Sequence, residues 1–581
     1  MIRAEGVSRV VGADRRVLLH PTDLAIAPGE RHLILGANGS GKTTLMRILS
    51  GLEAPTEGRL LVDGVAAGAG VREPGRDATS LWPRVAILFE EPDPQFLSDT
   101  VEGEISFGLE SLGLSADEFR RRTVAALEES GLSAMAARDP RELSAGEKAR
   151  VLLAAAMAAC PGALLLDQSL AHLDPGSRRA LESRLDAAAR AGGLAFVRTH
   201  QDADPPFPGE RLHVLEGGRL RGGEAFTASD VIAADRVPFP LAFRVSAALQ
   251  TRGEWDGALA NDAGALLAAL RGRDAGGDAT PLGEAASLPV SRDAGVTALA
   301  WRGVSWAARR GAALAIESID LEARRGEILA LVGVSGSGKS TLLHLAAGIR
   351  EPTRGTVWRD RPGDGEADAL LALEYPERQL FARSVEEDVA AMLWIEGIPR
   401  EERARRAARA LEAVGLSPER FAARIPATLS EGEKRRAALA AFLIEPPLAL
   451  LLDEPTAGLD PEGRRALRRA LDGLRGAGRA VVLASHDLDF VSATADRVVV
   501  IGREGDRPGG VLGSGTPDAV FRDAALLERA GLPPPDFLPL ADALRARGLV
   551  SRAAGVIRDA ESLLGSLATA REPLTGNAAS G

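Results

Sequence analysis

A glycine-rich segment that ends in lysine and a hydroxyl residue occurs twice in this chain of 581 residues. The first copy runs from Gly36 to Thr43 and the second from Gly333 to Ser340. Each copy follows a short apolar stretch and precedes an amphipathic one, which predicts a strand, a phosphate-binding loop (P-loop) and a helix. In such a loop, backbone N–H groups surround phosphate oxygens at a helix N-terminus, and the lysine reaches the terminal phosphates. The chain is therefore expected to bind a nucleoside triphosphate at two places.

The spacing of later landmarks shows that a whole domain is duplicated. Asp167 and Asp453, each at the end of an apolar stretch, are 286 residues apart, and so are His200 and His486. A repeat of this length indicates two copies of a domain and not a solenoid. Buried strands that alternate with helices predict an α/β fold with a largely parallel sheet, flanking helices and a helical subdomain in each copy. These strands are predicted at Arg31–Leu35, Ala163–Leu166, Leu194–Arg198, Ile328–Val332, Ala449–Leu452 and Ala480–Ala484.

The composition along the chain suggests where the domains end. A stretch of small residues between the repeats, rich in glycine and poor in apolar periodicity, is typical of a linker. The predicted division is 1–222 for the first nucleotide-binding domain, 223–270 for its C-terminal extension, 271–295 for the linker, 296–515 for the second nucleotide-binding domain, 516–572 for its helical extension and 573–581 for a tail.

Net charge and hydropathy limit the kinds of partner, nucleic acid or membrane, that this chain is expected to bind directly. The formal net charge of −11 disfavours non-specific binding to nucleic acid, which requires clustered lysine and arginine. No uninterrupted apolar stretch reaches the ~18–20 residues that cross a bilayer, and no signal segment is expected at the N-terminus. The single cysteine, Cys160, leaves no internal disulfide framework and suits a reducing compartment. Any membrane attachment is therefore expected to come through partner proteins.

The two copies differ at the residue that follows the acidic strand end. The first copy reads Asp167-Gln168 and the second Asp453-Glu454. A carboxylate can orient a water molecule and take its proton, whereas an amide can only orient it. General-base catalysis is worth about 10²–10⁴-fold in rate. We therefore expect two binding sites, of which one hydrolyses well.

An ordered set of further motifs identifies the superfamily. Ser144 and Ser430 lie in Leu-Ser-x-Gly-Glu-Lys segments, about 20 residues before the acidic strand ends. The sequences Ala171-His-Leu-Asp174 and Ala457-Gly-Leu-Asp460 follow those strand ends, and a histidine comes later in each repeat. This series resembles the signature, Walker B, D-loop and switch histidine of the ATP-binding cassette (ABC) superfamily, and the resemblance covers most of the chain.

The resemblance implies a head-to-tail pairing of the two cassettes, in which the P-loop of one repeat faces the signature of the other. Site one would then combine the first P-loop with Ser430 and Gly432, and site two the second P-loop with Ser144 and Gly146. Catalysis would rest on residues of site two: Lys339, Glu454, His486 and Ser144.

The resemblance also implies ATP and Mg²⁺ as ligands. The ATP-binding residues of site one would be Gly36, Asn38, Gly39, Gly41, Lys42, Thr43, Thr44, Gln168, His200, Ser430 and Gly432. Those of site two would be Gly333, Ser335, Gly336, Gly338, Lys339, Ser340, Thr341, Ser144 and Gly146. The ligands of Mg²⁺ would be Thr43, Glu90, Asp167, Ser340, Glu374 and Asp453.

The segment called the Q-loop points to a subfamily. Glu90 and Glu374 stand where the superfamily usually has glutamine, so an oxygen ligand remains with an added negative charge. A Pro-x-x-Gln pattern follows each, and together with the C-terminal extension it resembles the ATPases of energy-coupling factor (ECF) transporters. This implies import of a vitamin or transition-metal ion at the cytoplasmic face of the cell membrane. The implied partners are a transmembrane coupling subunit and a separate substrate-binding membrane protein.

Two other interpretations remain open. ABC-F-like translation factors also have two cassettes and no membrane segment, and their D-loop histidine resembles His172. Those factors carry a long charged linker, whereas the linker here is rich in glycine and alanine. An ABC-type DNA repair or chromosome ATPase would be expected to have a coiled coil or zinc-binding cysteines. The aromatic residue that commonly stacks on adenine is not evident, although Trp306 lies near its expected place.

Overall fold

The fold is given by a computed structural model. It describes residues 2–12, 15–37, 39–67, 81–143, 145–169, 175–190, 193–200, 210–222, 227–233, 239–255, 257, 259–260, 263–271, 295–307, 309, 314–360, 368–372, 379–503, 505, 507–550 and 557–569. The predicted linker, the predicted tail, Asn38, Ser144, Glu374 and the first D-loop lie wholly or almost wholly outside these residues.

The first repeat alternates strands and helices. In chain order it contains β1 (Ile2–Val11), β2 (Arg16–Ile26), β3 (Arg31–Leu35), α1 (Lys42–Leu49), β4 (Glu57–Val62), β5 (Val65–Ala67), β6 (Val85–Leu88), α2 (Val101–Glu110), α3 (Ala116–Glu129), α4 (Ala145–Ala158), β7 (Ala163–Asp167), α5 (Pro175–Arg190), β8 (Ala195–His200), β9 (Arg211–Glu216), β10 (Arg219–Gly222), α6 (Ala228–Ala233), α7 (Leu241–Thr251) and α8 (Ala263–Arg271).

The second repeat follows the same plan and ends in a longer helical extension. It contains β11 (Thr297–Trp306), β12 (Ile316–Arg324), β13 (Ile328–Val332), α9 (Lys339–Ala346), β14 (Arg354–Arg359), β15 (Ala369–Ala372), α10 (Val385–Val389), α11 (Ala391–Ile395), α12 (Arg400–Ala413), α13 (Pro418–Phe421), α14 (Glu431–Ile444), β16 (Ala449–Asp453), α15 (Pro461–Gly476), β17 (Ala480–Ala484), α16 (Leu488–Thr494), β18 (Arg497–Gly502), β19 (Gly510–Gly515), α17 (Pro517–Arg522), α18 (Ala524–Ala530), α19 (Phe537–Ala546) and α20 (Ala560–Thr569).

The main sheet of each repeat is parallel apart from one antiparallel edge strand. Its order is β10-β9-β3-β8-β7-β6 in the first repeat and β19-β18-β13-β17-β16-β15 in the second. The strand before each P-loop, β3 or β13, lies between two parallel neighbours and is almost wholly buried, as its apolar residues predict: Leu33 to Leu35 in β3 and all five residues of β13. The P-loop, the acidic strand end and the switch histidine therefore meet at the carboxyl edge of one sheet.

Each repeat also has a second, antiparallel sheet that the sequence analysis did not predict. Its order is β2-β1-β4-β5 in the first repeat and β12-β11-β14 in the second. This sheet covers the P-loop helix, since Leu19, Leu45 and Ile48 belong to one buried cluster of the first repeat. A separate apolar cluster joins α2, α3 and α4, which form the helical subdomain that ends in the signature helix.

The extensions of the two repeats share one hydrophobic core. Helix α7 packs against α20, and α8 packs against α19. The buried side chains of this four-helix unit belong to one cluster: Val245, Leu249, Leu266, Leu540, Leu544 and Leu563. Arg252, which follows α7, donates hydrogen bonds from Nη1 to the carbonyl oxygens of Leu567 at 2.8 Å and Leu549 at 3.4 Å. These carbonyls lie at or beyond helix ends, where oxygen atoms lack partners within the helix.

The core of the first main sheet contains ionisable groups where the second has apolar ones. His32 on β3 and His213 on β9 are stacked, with Nδ1 of His32 2.9 Å from Nε2 of His213. Leu329 and Val499 occupy the corresponding strand positions of the second repeat and are fully buried. Burial lowers the pKa of His213 to about 4, and the charge of His32 acts in the same direction.

We expect the stability of the first repeat to fall in mild acid. The unfolded chain binds a proton at His213 below pH ~6.5, whereas the folded protein resists protonation until about pH 4. The stabilisation from this residue is therefore complete above pH 6.5 and is lost as the pH falls towards 4. Between pH 7.5 and 5.5 the loss should be about 1 kcal/mol.

Urea unfolding of the wild type and of His213→Val at both pH values measures this contribution. The valine variant, which copies the second repeat, should lose less stability over the same interval. An equal loss in both proteins would assign the pH dependence to other groups.

Candidate active site

The first glycine of each P-loop leaves no room for a side chain. A Cβ built on Gly36 would lie 2.4 Å from the carbonyl oxygen of Leu215, and one on Gly333 would lie 2.1 Å from that of Ile501. The later glycines adopt positive φ angles, which favour glycine: Gly39 at 73°, Gly41 at 105°, Gly336 at 76° and Gly338 at 109°. Both loops thus have the backbone of an anion-binding cradle at the start of a helix.

Both P-loop lysines are buried beside the backbone of their own P-loop. Lys42 Nζ donates to the carbonyl oxygens of Gly36 at 2.7 Å and Ala37 at 3.0 Å. Lys339 Nζ donates in the same way to Gly333 at 2.7 Å and Val334 at 3.2 Å. The ammonium groups therefore lie beside the loops that would surround the phosphates. The hydroxyl residues that follow each lysine form the first turns of α1 and α9.

The second repeat brings a hydroxyl and a carboxylate together where a divalent cation would bind. Ser340 Oγ donates to Asp453 Oδ1 at 3.1 Å. Both are oxygen ligands of the kind that Mg²⁺ prefers, and a P-loop hydroxyl beside an acidic strand end suits a cation that also contacts phosphate. Burial raises the pKa of Asp453 to about 6, and the neighbouring charge of Glu454 adds to this effect. A cation would relieve that repulsion, so these residues fit Mg²⁺.

Glu454 is held by the switch histidine. Its Oε2 lies 2.8 Å from His486 Nδ1 and accepts a hydrogen bond from the backbone N–H of His486 at 3.2 Å. Burial alone would raise the pKa of Glu454, but the charge and hydrogen bonds of His486, with the charge of Lys339, lower that pKa to about 2. The charge of Glu454 in turn raises the pKa of His486. The two side chains form a partly buried ion pair.

The first repeat arranges the matching residues differently. Asp167 Oδ1 accepts a hydrogen bond from Thr199 Oγ1 at 2.7 Å, and Thr199 Oγ1 accepts one from the backbone N–H of Gln168 at 3.2 Å. Gln168 Oε1 is buried and has no hydrogen-bond partner among the described residues. A buried acceptor without a partner costs about 1–3 kcal/mol, which suits a group that meets water or a ligand in another state. The two sites thus differ in contacts as well as in residue type.

The Q-loop of the first repeat is braced by the glutamine of the Pro-x-x-Gln pattern. Gln95 accepts from the backbone N–H of Phe89 at 3.0 Å and donates to the carbonyl oxygens of Phe89 and Glu91. Glu90 therefore lies in a loop whose backbone is fixed on both sides. Asp93 of this loop binds Lys148 of the signature helix α4, with 2.5 Å between Oδ1 and Nζ. The matching glutamate of the second repeat, Glu374, lies outside the described residues.

The second signature begins a helix, as its sequence predicts. Ser430 is the N-cap of α14 and forms a capping box with Glu433, since each side chain binds the backbone N–H of the other residue. Gly432 lies in the first turn of α14, and Gly146 has the same place in α4. The pairing of each P-loop with the opposite signature stays a prediction.

Three features of the site were not predicted from the sequence. They are the bond between Thr199 and Asp167, the ion pair between Asp93 and Lys148, and a contact between Arg435 and the carbonyl oxygen of Glu454. Trp306, the candidate for adenine stacking, lies at the end of β11 with the guanidinium of Arg350 4.6 Å from its ring centroid. The position of Arg350, four residues after the end of α9, is the sequence signal that could have predicted its contact with Trp306.

Sequence comparison assigns a family to this arrangement. The family model described as ABC transporter matches residues 19–171 and 316–457. An ABC transporter ATP-binding protein of Streptomyces coelicolor is 31% identical, over 86% of this chain and 92% of its own length. One of Bifidobacterium longum is 30% identical over 83% of this chain, which spans 62% of that relative's length.

One of the solved structures that match shows the same fold over most of the chain. A model of archaeal ABCE1, bound to the ribosome together with Pelota, matches with a TM-score of 0.60 and 20% identity, over 90% of this chain and 80% of that one. CbiO1 of Clostridium perfringens, part of the ABC transporter complex CbiONQ, is 30% identical and covers 43% of this chain, with a TM-score of 0.36. The chain belongs to the ABC transporter family and is an ATPase with two ATP-binding cassettes in tandem.

Proposed function

We propose that this chain powers an ECF-type importer of a vitamin or a transition-metal ion. It would act at the cytoplasmic face of the membrane with a transmembrane coupling subunit and a separate substrate-binding membrane protein. The Q-loop pattern and the C-terminal extensions support this subfamily, and an exposed apolar surface beside the second Q-loop carries the proposal. None of the helices in the described part of the chain is long and apolar enough to cross a membrane.

The apolar surface of the second repeat consists of Phe381 and three residues of α11: Met392, Trp394 and Ile395. Phe381 is 82% exposed, Trp394 68% and Ile395 69%. Large apolar side chains grouped in this way mark protein or membrane contacts. The surface follows Gln379 of the Q-loop directly, so a partner bound there would adjoin site two. A partner segment with apolar side chains fits this surface.

The loop that presents Phe381 is held firmly. Asp388 Oδ1 accepts hydrogen bonds from the backbone N–H groups of Phe381 at 2.9 Å and Ala382 at 2.8 Å. The first repeat uses the same arrangement, because Glu104 Oε2 binds the N–H groups of Leu97 and Ser98 at 2.9 Å. Leu97 is exposed like Phe381, and both carboxylates are buried. This support indicates a preformed docking surface and not a loosely placed loop.

The chemistry that drives the proposed cycle would take place at site two. Glu454 is bound to His486, and a carboxylate with a pKa of about 2 is a weak base. If the side chain of His486 turns to the γ-phosphate when ATP binds, its positive charge no longer lies beside Glu454. The pKa of the Glu454 carboxyl then rises. The switch histidine would in this way activate the base only when substrate is present.

Affinity capture of the tagged chain from detergent-solubilised membranes tests the proposal. We expect a polytopic membrane protein to co-purify, and Trp394→Ser combined with Phe381→Ser to release it without loss of ATP binding. Ile349→Ser is the matched control, since Ile349 is an exposed apolar residue that follows α9 and lies outside the apolar surface.

Recovery of the chain only in soluble or ribosomal fractions would contradict the transport proposal. In that case the ABC-F-like alternative would gain support.

A further inference from the structure

Arg435 connects the second signature helix to the catalytic glutamate of the same repeat. Helix α14 starts just after its cap Ser430, and Arg435 lies one turn and a half further on, about 7.5 Å along the axis. Its Nη1 donates a hydrogen bond to the backbone carbonyl oxygen of Glu454. Arg435 also lines a small cavity with Gln379 and Asp453, so it stands between the Q-loop and the acidic strand end.

The backbone of Glu454 needs such support. Its φ angle of 45° is in the left-handed region, which costs free energy for a residue with a side chain. Several contacts hold it there. Its N–H donates to the carbonyl oxygen of Ala484 at 2.9 Å, and its carboxylate binds His486. Its carbonyl oxygen accepts from Arg435 and from the backbone N–H of Ala457 at 3.3 Å. The guanidinium, together with the N–H of Ala457, therefore helps to fix the peptide plane that follows Glu454, and with it the direction of the carboxylate.

The first repeat lacks this contact. Gln168 has nearly the same φ angle, 54°. The residue that corresponds to Arg435 is Ala149, whose methyl group cannot donate a hydrogen bond. The backbone N–H of Gln168 instead donates to Thr199 Oγ1. Among the residues that the structure describes, an arginine thus joins the signature helix to the residue after the acidic strand end in the second repeat, the one with the glutamate.

We propose that Arg435 is a positioning residue through which ATP in site one aligns Glu454 for hydrolysis in site two. The inference rests on the proposed head-to-tail pairing, in which Ser430 and Gly432 complete site one. ATP there would contact the start of α14, and a small movement of this helix would reach Glu454 through the guanidinium. Ala149, at the position of Arg435, cannot provide the matching route from site two to Gln168. Site one would then act as a regulatory site for its neighbour.

Four proteins test this link: the wild type, Lys42→Ala, Arg435→Ala and the double variant. Lys42→Ala removes the P-loop ammonium of site one and weakens ATP binding there. Each single change is expected to lower turnover at saturating ATP about tenfold, a modest effect for a hydrogen bond that acts on a catalytic group. The double variant should be no slower than the slower single variant, because both changes break the same connection.

Losses that multiply to about a hundredfold would show that Arg435 acts independently of site one, and the proposal would fail. It would also fail if Lys42→Ala left turnover unchanged. Failure of the transport proposal has a separate signature, because the chain would then be recovered only in soluble or ribosomal fractions whatever the turnover of these four proteins.

Two further measurements separate positioning from folding. Arg435→Lys keeps a donor and should restore most of the turnover. Binding of a fluorescent ATP analogue to Arg435→Ala should match the wild type at both sites, so that only kcat falls. Weaker binding together with no rescue by lysine would indicate a purely structural role and overturn the proposal.

Discussion

Replacing Glu454 with glutamine is expected to lower steady-state ATPase activity by about 10²–10⁴-fold, the usual worth of a positioned general base. The change removes proton acceptance and keeps the size of the side chain, so ATP binding should persist. It would also convert the second repeat to the residue type that the first already has at Gln168. Turnover at saturating ATP, with binding measured separately, gives the result.

Glu462→Gln is the matched control for this experiment. Glu462 lies in the first turn of α15, is exposed, and undergoes the same loss of charge. Its turnover should equal that of the wild type. If the Glu454 variant keeps more than about half of its rate, another group is the principal base and the assignment of site two is wrong.

Arginine in place of Ser144 is expected to reduce ATPase activity about tenfold more than arginine in place of Ser430. Under the head-to-tail pairing, Ser144 belongs to the weak repeat in sequence but completes site two, where hydrolysis occurs. Contacts to the γ-phosphate matter most where charge develops during phosphoryl transfer. The bulk and charge of arginine would disrupt that contact. The measurement is the turnover of both variants at saturating ATP.

The folded state of each variant has to be verified first, because Ser430 caps α14 and loss of a cap costs about 1 kcal/mol. Thermal unfolding provides that check. Equal losses would mean that the two sites do not act separately. A larger loss from Ser430→Arg would assign hydrolysis to site one.

Much of the fold was predictable because its signals are local. The apolar strands before each P-loop, the glycine cradles and the serine cap of α14 each depend on residues close together in sequence. The predicted strands Ala163–Leu166 and Ala449–Leu452 extend by one residue, to Asp167 and Asp453. This extension places the acidic groups at the ends of the strands, where the sheet exposes them to the P-loop.

The features that escaped prediction join residues far apart in sequence. Thr199 meets Asp167 only because β8 and β7 are neighbours, and Arg435 reaches Glu454 only because α14 packs against β15, the strand next to β16. Nothing in the local sequence of either residue specifies its partner. The difference between Arg435 and Ala149 is visible when the repeats are aligned, but its meaning depends on the tertiary contact.

Because α7, α8, α19 and α20 share one core, the rate at which the two cassettes would meet does not depend on protein concentration. Two separate ATPase subunits meet at a rate that depends on their concentration, and two copies of one subunit must have identical sites. Here the two repeats are held together by buried side chains in addition to the peptide linker. Each repeat therefore has a fixed effective concentration near the other. Dilution cannot separate them, and in the predicted head-to-tail pairing a weak site would always accompany a strong one. The inequality of Gln168 and Glu454 is therefore a property of every molecule and not of a mixed population.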